Sequence, residues 1–268
     1  MKETKLTHRQ WVDFERDGFV RLGRAATDGE LNQLQERIDA IMLGTAPIDL
    51  GKIYMQLDSS DGDYASLSGG GNGSHGATLN YRKIQNLEFD PIFREYMDNP
   101  IFREVCARCY GDDTPIACFR AMFMNKPARK GTLLPWHQDA WTVLDRQPVV
   151  TVWTALDPAT RANGCVEVVP GTHKLGLVNP AHASGFLSKA QIEQYCTNVA
   201  TEFVELEAGE AVLLHNWLMH RSDVNKTDIS RRAFSVCYAD ARTISSDGAV
   251  LTALEWPVAA RAPEQFLR

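Results

Sequence analysis

The chain has no apolar run long enough to cross a bilayer. Its opening residues, Met1-Lys2-Glu3-Thr4-Lys5, lead into a polar amphipathic segment and not into the apolar core of a secretory leader. A cytoplasmic, soluble protein with no membrane partner is expected. Positive charge is not in excess either. With 28 Lys and Arg against 34 Asp and Glu, the formal net charge is −6. Nucleic acid is therefore not an expected partner, because phosphate contacts need clustered Lys and Arg. The six cysteines, Cys106, Cys109, Cys118, Cys165, Cys196 and Cys237, are spaced like neither a disulfide scaffold nor a zinc site. Cys106 and Cys109 form a C-x-x-C within a helical pattern, but no second pair follows, so reduced and mostly buried thiols are expected. The glycine run in Ser68–Ser74 lacks a Gly-Lys-Ser/Thr ending and no apolar strand leads into it, which excludes a phosphate-binding P-loop. Residues 57–78 read instead as a surface loop or an active-site lid.

What remains is ordinary globular composition: 268 residues, 44% apolar and 23% charged. One domain over residues 1–268 is expected, with N-terminal helices at about 7–110 packed on a β core at about 116–240. Residues 7–17 read as a short helix, followed by a strand at Phe19-Val20-Arg21-Leu22. Thr27-Asp28-Gly29-Glu30 is a capping box, and Leu31, Leu34, Ile38 and Ile41 follow at helical spacing, which predicts a helix over 28–43. Two short helices in 90–110 each open with Pro-Ile-Phe-Arg-Glu; proline suits a helix start, and two copies are too few for a repeat architecture. A further helix is expected at 188–196.

From residue 116 the pattern turns β. The expected strands are 116–124, 133–140, 148–156, 165–169, 202–206, 210–215 and 231–239, separated by turns such as Asn163-Gly164 and Pro170-Gly171. Short strands after N-terminal helices predict a mainly β fold with flanking α-helices, an antiparallel sandwich or jelly roll.

The chemistry concentrates in Trp136-His137-Gln138-Asp139-Ala140-Trp141. If this segment is a strand, His137 and Asp139 leave the same face. An imidazole and a carboxylate are two thirds of a facial triad for non-haem Fe(II), a site that keeps open positions for substrate and oxygen. A third ligand would come from His215 or His220, and His220 is preferred. After it come a polar turn, Asn225-Lys226-Thr227-Asp228, and a return strand that brings an arginine back beside the metal. Iron sites of this kind commonly take 2-oxoglutarate, whose far carboxylate needs a two-pronged cation. Only one of Arg231 and Arg232 points inward; Arg232 is expected to be a solvated surface charge.

Taken together, His137-Gln138-Asp139, the run Asn163 to Lys174, His220-Arg221-Ser222 and Arg231 resemble the phytanoyl-CoA dioxygenase family of Fe(II)- and 2-oxoglutarate-dependent oxygenases. The resemblance covers roughly residues 12–240. It implies a double-stranded β-helix of cupin-like type, His137, Asp139 and His220 as the metal ligands, and Arg231 as the 2-oxoglutarate anchor. It also places Met122, Trp153 and Lys83 on the co-substrate pocket; for Met122 and Trp153, plain core packing is the competing reading. The implied reaction uses Fe(II), 2-oxoglutarate and O2 to hydroxylate an unactivated C–H of a small molecule, releasing succinate and CO2. Desaturation, epimerisation or ring formation would use the same site. Related halogenases put a small residue where Asp139 stands, so halogenation is not expected.

Two other classes compete: a zinc hydrolase, since this ligand set also suits Zn2+, and a non-catalytic β-sandwich binding protein. The first leaves Arg231 and the family pattern without a purpose, and the intact ligand set argues against the second. His173 reads as a turn or packing residue, His75 and His182 as surface loop residues. Glu167 looks like a general base, but this chemistry needs none. The substrate pocket is expected from the 55–80 loop, Trp141 and the segments 177–198 and 241–256, with Tyr54, Gln56, Tyr81 and Arg120 contributing. That mixture suits a small or medium natural product, amino acid or acid; no cluster of basic residues suited to acyl-CoA phosphates is visible.

Overall fold

A computed structural model describes residues 5–182, 184–254 and 256. Five helices and thirteen strands follow in chain order: α1 (His8–Asp17), β1 (Phe19–Arg24), α2 (Asp28–Met42), β2 (Tyr54–Leu57), β3 (Gly71–Asn72), β4 (Tyr81–Gln85), α3 (Pro91–Met97), α4 (Pro100–Tyr110), β5 (Ile116–Lys126), β6 (Leu134–His137), β7 (Val150–Ala155), β8 (Val166–Val168), α5 (Lys189–Tyr195), β9 (Glu202–Val204), β10 (Glu210–His215), β11 (His220–Ser222), β12 (Arg231–Asp240) and β13 (Thr252–Ala253). The expected caps are present. Thr7 with Gln10 opens α1, and Thr27 with Glu30 opens α2, each a reciprocal pair that satisfies two backbone donors.

The strands form two antiparallel sheets. The large one runs β1-β10-β7-β12-β5-β4-β2-β3, with β13 against β5; the small one runs β6-β11-β8-β9. This is the jelly roll, with mainly antiparallel β structure and few helices. Alternation along β12 divides the two faces of the large sheet. Phe234 and Tyr238 face the helices: the Phe234 ring sits 4.7 Å from Phe93 and 6.2 Å from Tyr96, and the Tyr238 hydroxyl donates to Met97 O. The main core lies here, uniting α2, α3 and α4 with the back of the sheet. Arg231 and Ser235 face the other way, towards the small sheet. Between the sheets, one region is packed solid by Val166, Val168, Val204, Leu214 and Ala233. The rest is a cavity.

Several expectations need correction. The strand expected over 133–140 stops at His137, so Asp139 lies beyond its end. There the chain is held otherwise: Gln138 N donates to Gly185 O and Asp139 N to Asn216 O. Residues 57–78 carry two short ordered pieces, a helical turn at Tyr64–Ser66 and β3. The return strand, β12, brings Arg231 to the cavity from the opposite sheet: β11 belongs to the small sheet and β12 to the large one. The six cysteines are free thiols, five of them buried, as expected.

Candidate metal centre and co-substrate pocket

His137 and His220 are directly opposite each other in the β6–β11 pairing. Their ring centroids are 4.0 Å apart. Each ring is aimed by a carbonyl two residues before it: His137 Nδ1 lies 2.8 Å from Pro135 O, and His220 Nδ1 lies 2.9 Å from Leu218 O. Carbonyls only accept, so both Nδ1 atoms carry the proton and both Nε2 lone pairs are free, the tautomer a metal requires. Asp139 completes the group. One ligand atom from each of His137, Asp139 and His220 lies within 4.8 Å of the others. Among the described residues, no other set of His, Cys, Asp and Glu meets this test.

The electrostatics suit a cation. Burial, and then His220, push the His137 imidazole down to about 3, so it is neutral at physiological pH. Burial alone would raise the Asp139 carboxyl, but Arg120 and the two imidazoles outweigh it, so it is held below its ordinary value. Arg120 reaches Asp139 at 3.5 Å and lies over Trp141, 4.9 Å from its ring centroid.

Gln138, between two of the three residues, braces the surroundings. Its Nε2 donates to Gly176 O and Trp217 O, and its Oε1 accepts from Val178 N. The 177–198 segment is thereby pinned to the centre. Gly185 is required at this contact: it has φ +66°, and a Cβ there would stand 1.9 Å from Gln138 O.

The cavity beside the triad measures about 270 Å³. Cross-strand register builds one wall. Lys83 pairs with Met124, Met122 with Ser235, Ser235 with Trp153, and Arg231 with Lys126, so these rows share the inner face. The four residues expected at a co-substrate pocket, Lys83, Met122, Trp153 and Arg231, all line this one cavity with the triad. Arg231 is buried, and burial lowers it to about 10, still protonated at neutral pH. Its guanidinium carbon lies 5.5 Å from the Trp153 ring centroid. Arg231 Nε and Trp153 Nε1 are both buried donors with no acceptor in the protein. Orphaned donors of this kind are uncommon and call for a ligand acceptor, which a carboxylate would supply. A ligand set for iron and an unfilled cradle for a carboxylate therefore occupy the same cavity.

Sequence and structure comparisons place this geometry. The model of the phytanoyl-CoA dioxygenase (PhyH) family matches residues 14–233. The chain belongs to that family. The peroxisomal phytanoyl-CoA dioxygenase of Mus musculus is 32% identical over 241 residues, spanning 86% of this chain and 67% of that one. Among solved structures, EctD from S. alaskensis, crystallised with 2-oxoglutarate and 5-hydroxyectoine, superposes with a TM-score of 0.68 at 18% identity, covering 88% of this chain and 77% of EctD. The carbocyclase SnoK from nogalamycin biosynthesis gives 0.69 at 16% identity, covering 94% and 95%. These two likenesses establish the fold. As a member of the phytanoyl-CoA dioxygenase family, the chain is an Fe(II)- and 2-oxoglutarate-dependent dioxygenase, which sets aside the zinc hydrolase and the inert sandwich.

Other expected residues go elsewhere. His215 is no part of the triad; it packs against His173, with centroids 5.0 Å apart, and accepts from Trp217 N. His182 Nδ1 accepts from Ser184 N, holding its own loop. Glu167 is tied to Arg221 at 2.7 Å and to Thr201. Tyr81 is fully buried, and its hydroxyl props the loop at His75 and Gly76. Tyr54 and Gln56 touch the cavity's cations without lining it, and no described residue of 241–256 lines it. Arg232 is not a solvated charge: it grips Asp157 through two nitrogens at 2.8 Å and Asp39 at 2.7 Å.

Some site residues carried no readable signal. Tyr64, Arg82, Lys126 and Phe186 line the cavity. Phe186 meets Tyr64 edge-on at 4.9 Å and His137 at 5.7 Å, so two loops close over the ligands. The fold also gathers Arg82, Lys83, Arg120 and Lys126 into a basic cluster that is scattered in the sequence.

No helix among the described residues is long and apolar enough to cross a membrane.

Proposed function

We propose that the chain is one catalytic unit that hydroxylates an unactivated C–H of a small molecule. His137, Asp139 and His220 would hold the iron, and Arg231 would bind the far carboxylate of 2-oxoglutarate. The observation that carries this reading is the convergence of three ligand atoms within 4.8 Å, with both imidazoles already in the metal-binding tautomer. Ferrous iron, when bound with 2-oxoglutarate and O2, supplies the oxidising power, and succinate and CO2 are released.

The protein's part is binding, orientation and exclusion of water. Arg231 supplies a permanent, two-pronged charge, and the unbonded Nε1 of Trp153 supplies a neighbouring donor. Met122 packs the floor of the pocket. Lys83, lowered to about 8 by burial and then by Arg82 and Arg120, adds a second cation on the β4 side. Tyr64 and Phe186 shield the ligand side from solvent. Asp139 fills the position a halide would need, so oxygen insertion is favoured over halogenation; epimerisation and ring closure remain alternative outcomes on the same residues.

The test is spectroscopic. Anaerobic protein given Fe(II) and 2-oxoglutarate should develop a weak visible charge-transfer band. His137→Ala should abolish it. A band that survives this substitution would remove the assignment.

A further inference from the structure

Six cationic side chains line the cavity, and among the described residues Asp139 is its one carboxylate. Most of the six are accounted for. Arg221 is matched by Glu167, and Arg120 by Asp139. Lys126 Nζ donates to Thr132 O at 2.6 Å, and burial, Arg231 and Arg82 hold it well below its ordinary value. Arg231 takes the keto diacid in the reading above. Arg82 is left over. Its Nη1 donates to Gln56 Oε1 at 3.2 Å, and its guanidinium carbon lies 5.1 Å from the Tyr64 ring centroid. No described carboxylate forms an ion pair with it, nor with Lys83 beside it, which rests over Tyr54. Asp58 favours the charged form of Arg82 from a distance, but no ion pair joins them, and its oxygens hydrogen-bond Gly131 N, Thr132 N and the Thr132 hydroxyl.

Arg82 is half-buried, and a guanidinium partly withdrawn from water without a paired anion carries a cost. At Arg231 the keto diacid relieves that cost. Loading does not relieve it at Arg82: ferrous iron brings two positive charges and the diacid two negative ones, so the cavity keeps the net positive charge of its lining. A second anion is therefore missing from the cavity. Its surroundings are specified too. Arg82 lies over Tyr64, Tyr64 abuts Phe186, and Phe186 abuts His137, so an aromatic wall runs from the spare cation to the metal ligands. The cavity's roughly 270 Å³ falls just below the ~300–1,000 Å³ of drug-sized sites, and the co-substrate must share it.

We propose that the substrate is a small carboxylic acid with an apolar body, and that Arg82 binds its acid group. The proposal rests on the dioxygenase reading above. Arg82 would set specificity: holding the acid end fixes which carbon along the wall faces the triad. An acyl-CoA fits poorly, since a thioester offers no carboxylate to Arg82.

The experiment uses the full chain loaded anaerobically with Fe(II) and 2-oxoglutarate. Short carboxylic acids, each paired with its primary amide, are titrated while the charge-transfer band is followed. Oxygen is then admitted and succinate measured. Acids should perturb the band and stimulate succinate release where their amides do not. Arg82→Gln should raise the acid concentration required by roughly 5–30-fold, below the range for a fully buried charge pair because Arg82 is half-buried. Arg82→Lys should recover part of this. The 2-oxoglutarate concentration that half-develops the band should move by less than about twofold in Arg82→Gln, which also reports that the variant is folded. The proposal is overturned if no acid outperforms its amide, if an acyl-CoA is the one compound that responds, or if Arg82→Gln weakens 2-oxoglutarate instead. If wild-type protein forms no band at all, the dioxygenase reading itself fails.

Discussion

Arg231 and Arg232 are consecutive on one strand, yet the two faces of the large sheet treat them in opposite ways. Arg232, on the helix side, is met by Asp157 and Asp39. Arg231, on the cavity side, meets no carboxylate, and its Nε has no acceptor. Along this strand the back face is closed: Arg232 is paired, and the Phe234 and Tyr238 rings pack on Phe93, Tyr96 and Phe102. The front face is left electrostatically unfinished. A fold can hold that imbalance because the closed face supplies stability the open face does not have to provide.

This contrast can be tested by substitutions that should change stability on one face and binding on the other. The largest effect is expected from Phe234→Ala on the back face. It removes a fully buried ring packed on Phe93 and Tyr96, and chemical denaturation should show a loss of about 4 kcal/mol. On the front face, Arg231→Gln should cost about 3 kcal/mol in 2-oxoglutarate affinity, read from the anaerobic band, while the melting temperature holds or rises. A drop in melting temperature with unchanged affinity would erase the distinction between the faces. Arg232→Met should do the reverse, costing about 2 kcal/mol of stability with co-substrate affinity retained; the figure is discounted because Asp39 is partly exposed.

The smallest effect concerns His215, which packs at the β1 edge beside His173. Burial, and then His173, lower it from 6.5 to about 4. The folded protein therefore binds this proton less readily than the unfolded chain does. Its contribution is fully present above pH 6.5 and is lost as the pH falls towards 4. Across that window, stability should fall by on the order of 1–2 kcal/mol. His215→Gln should flatten the slope, as measured by urea midpoints at several pH values.

The sequence revealed much of this because some signals are local. Capping boxes, proline helix starts and the 3.6-residue spacing of α2 each sit within a few residues, and those elements formed where expected. The triad and Arg231 were legible because they match a family pattern as a set. The rest depended on register. Nothing near Lys126 says that it faces Arg231, and nothing near Arg82 says that a ring from residue 64 lies beneath it. Alternation also misled at Asp139, which seemed placed by a strand but is positioned by a hydrogen bond from its backbone N–H to Asn216 O. Arg232 looked solvated because its acids, Asp39 and Asp157, lie far away in sequence.

The His137 and His220 rings are each steered by a carbonyl two residues earlier in the chain. Their aim is therefore set by the backbone immediately before each ring and not by an ion. Such a centre is cocked in advance: the polypeptide can finish folding empty and take up iron later, unlike a zinc finger that condenses around its metal. The long connections are then free to diverge in length and composition, changing what is oxidised while the apparatus that oxidises stays put.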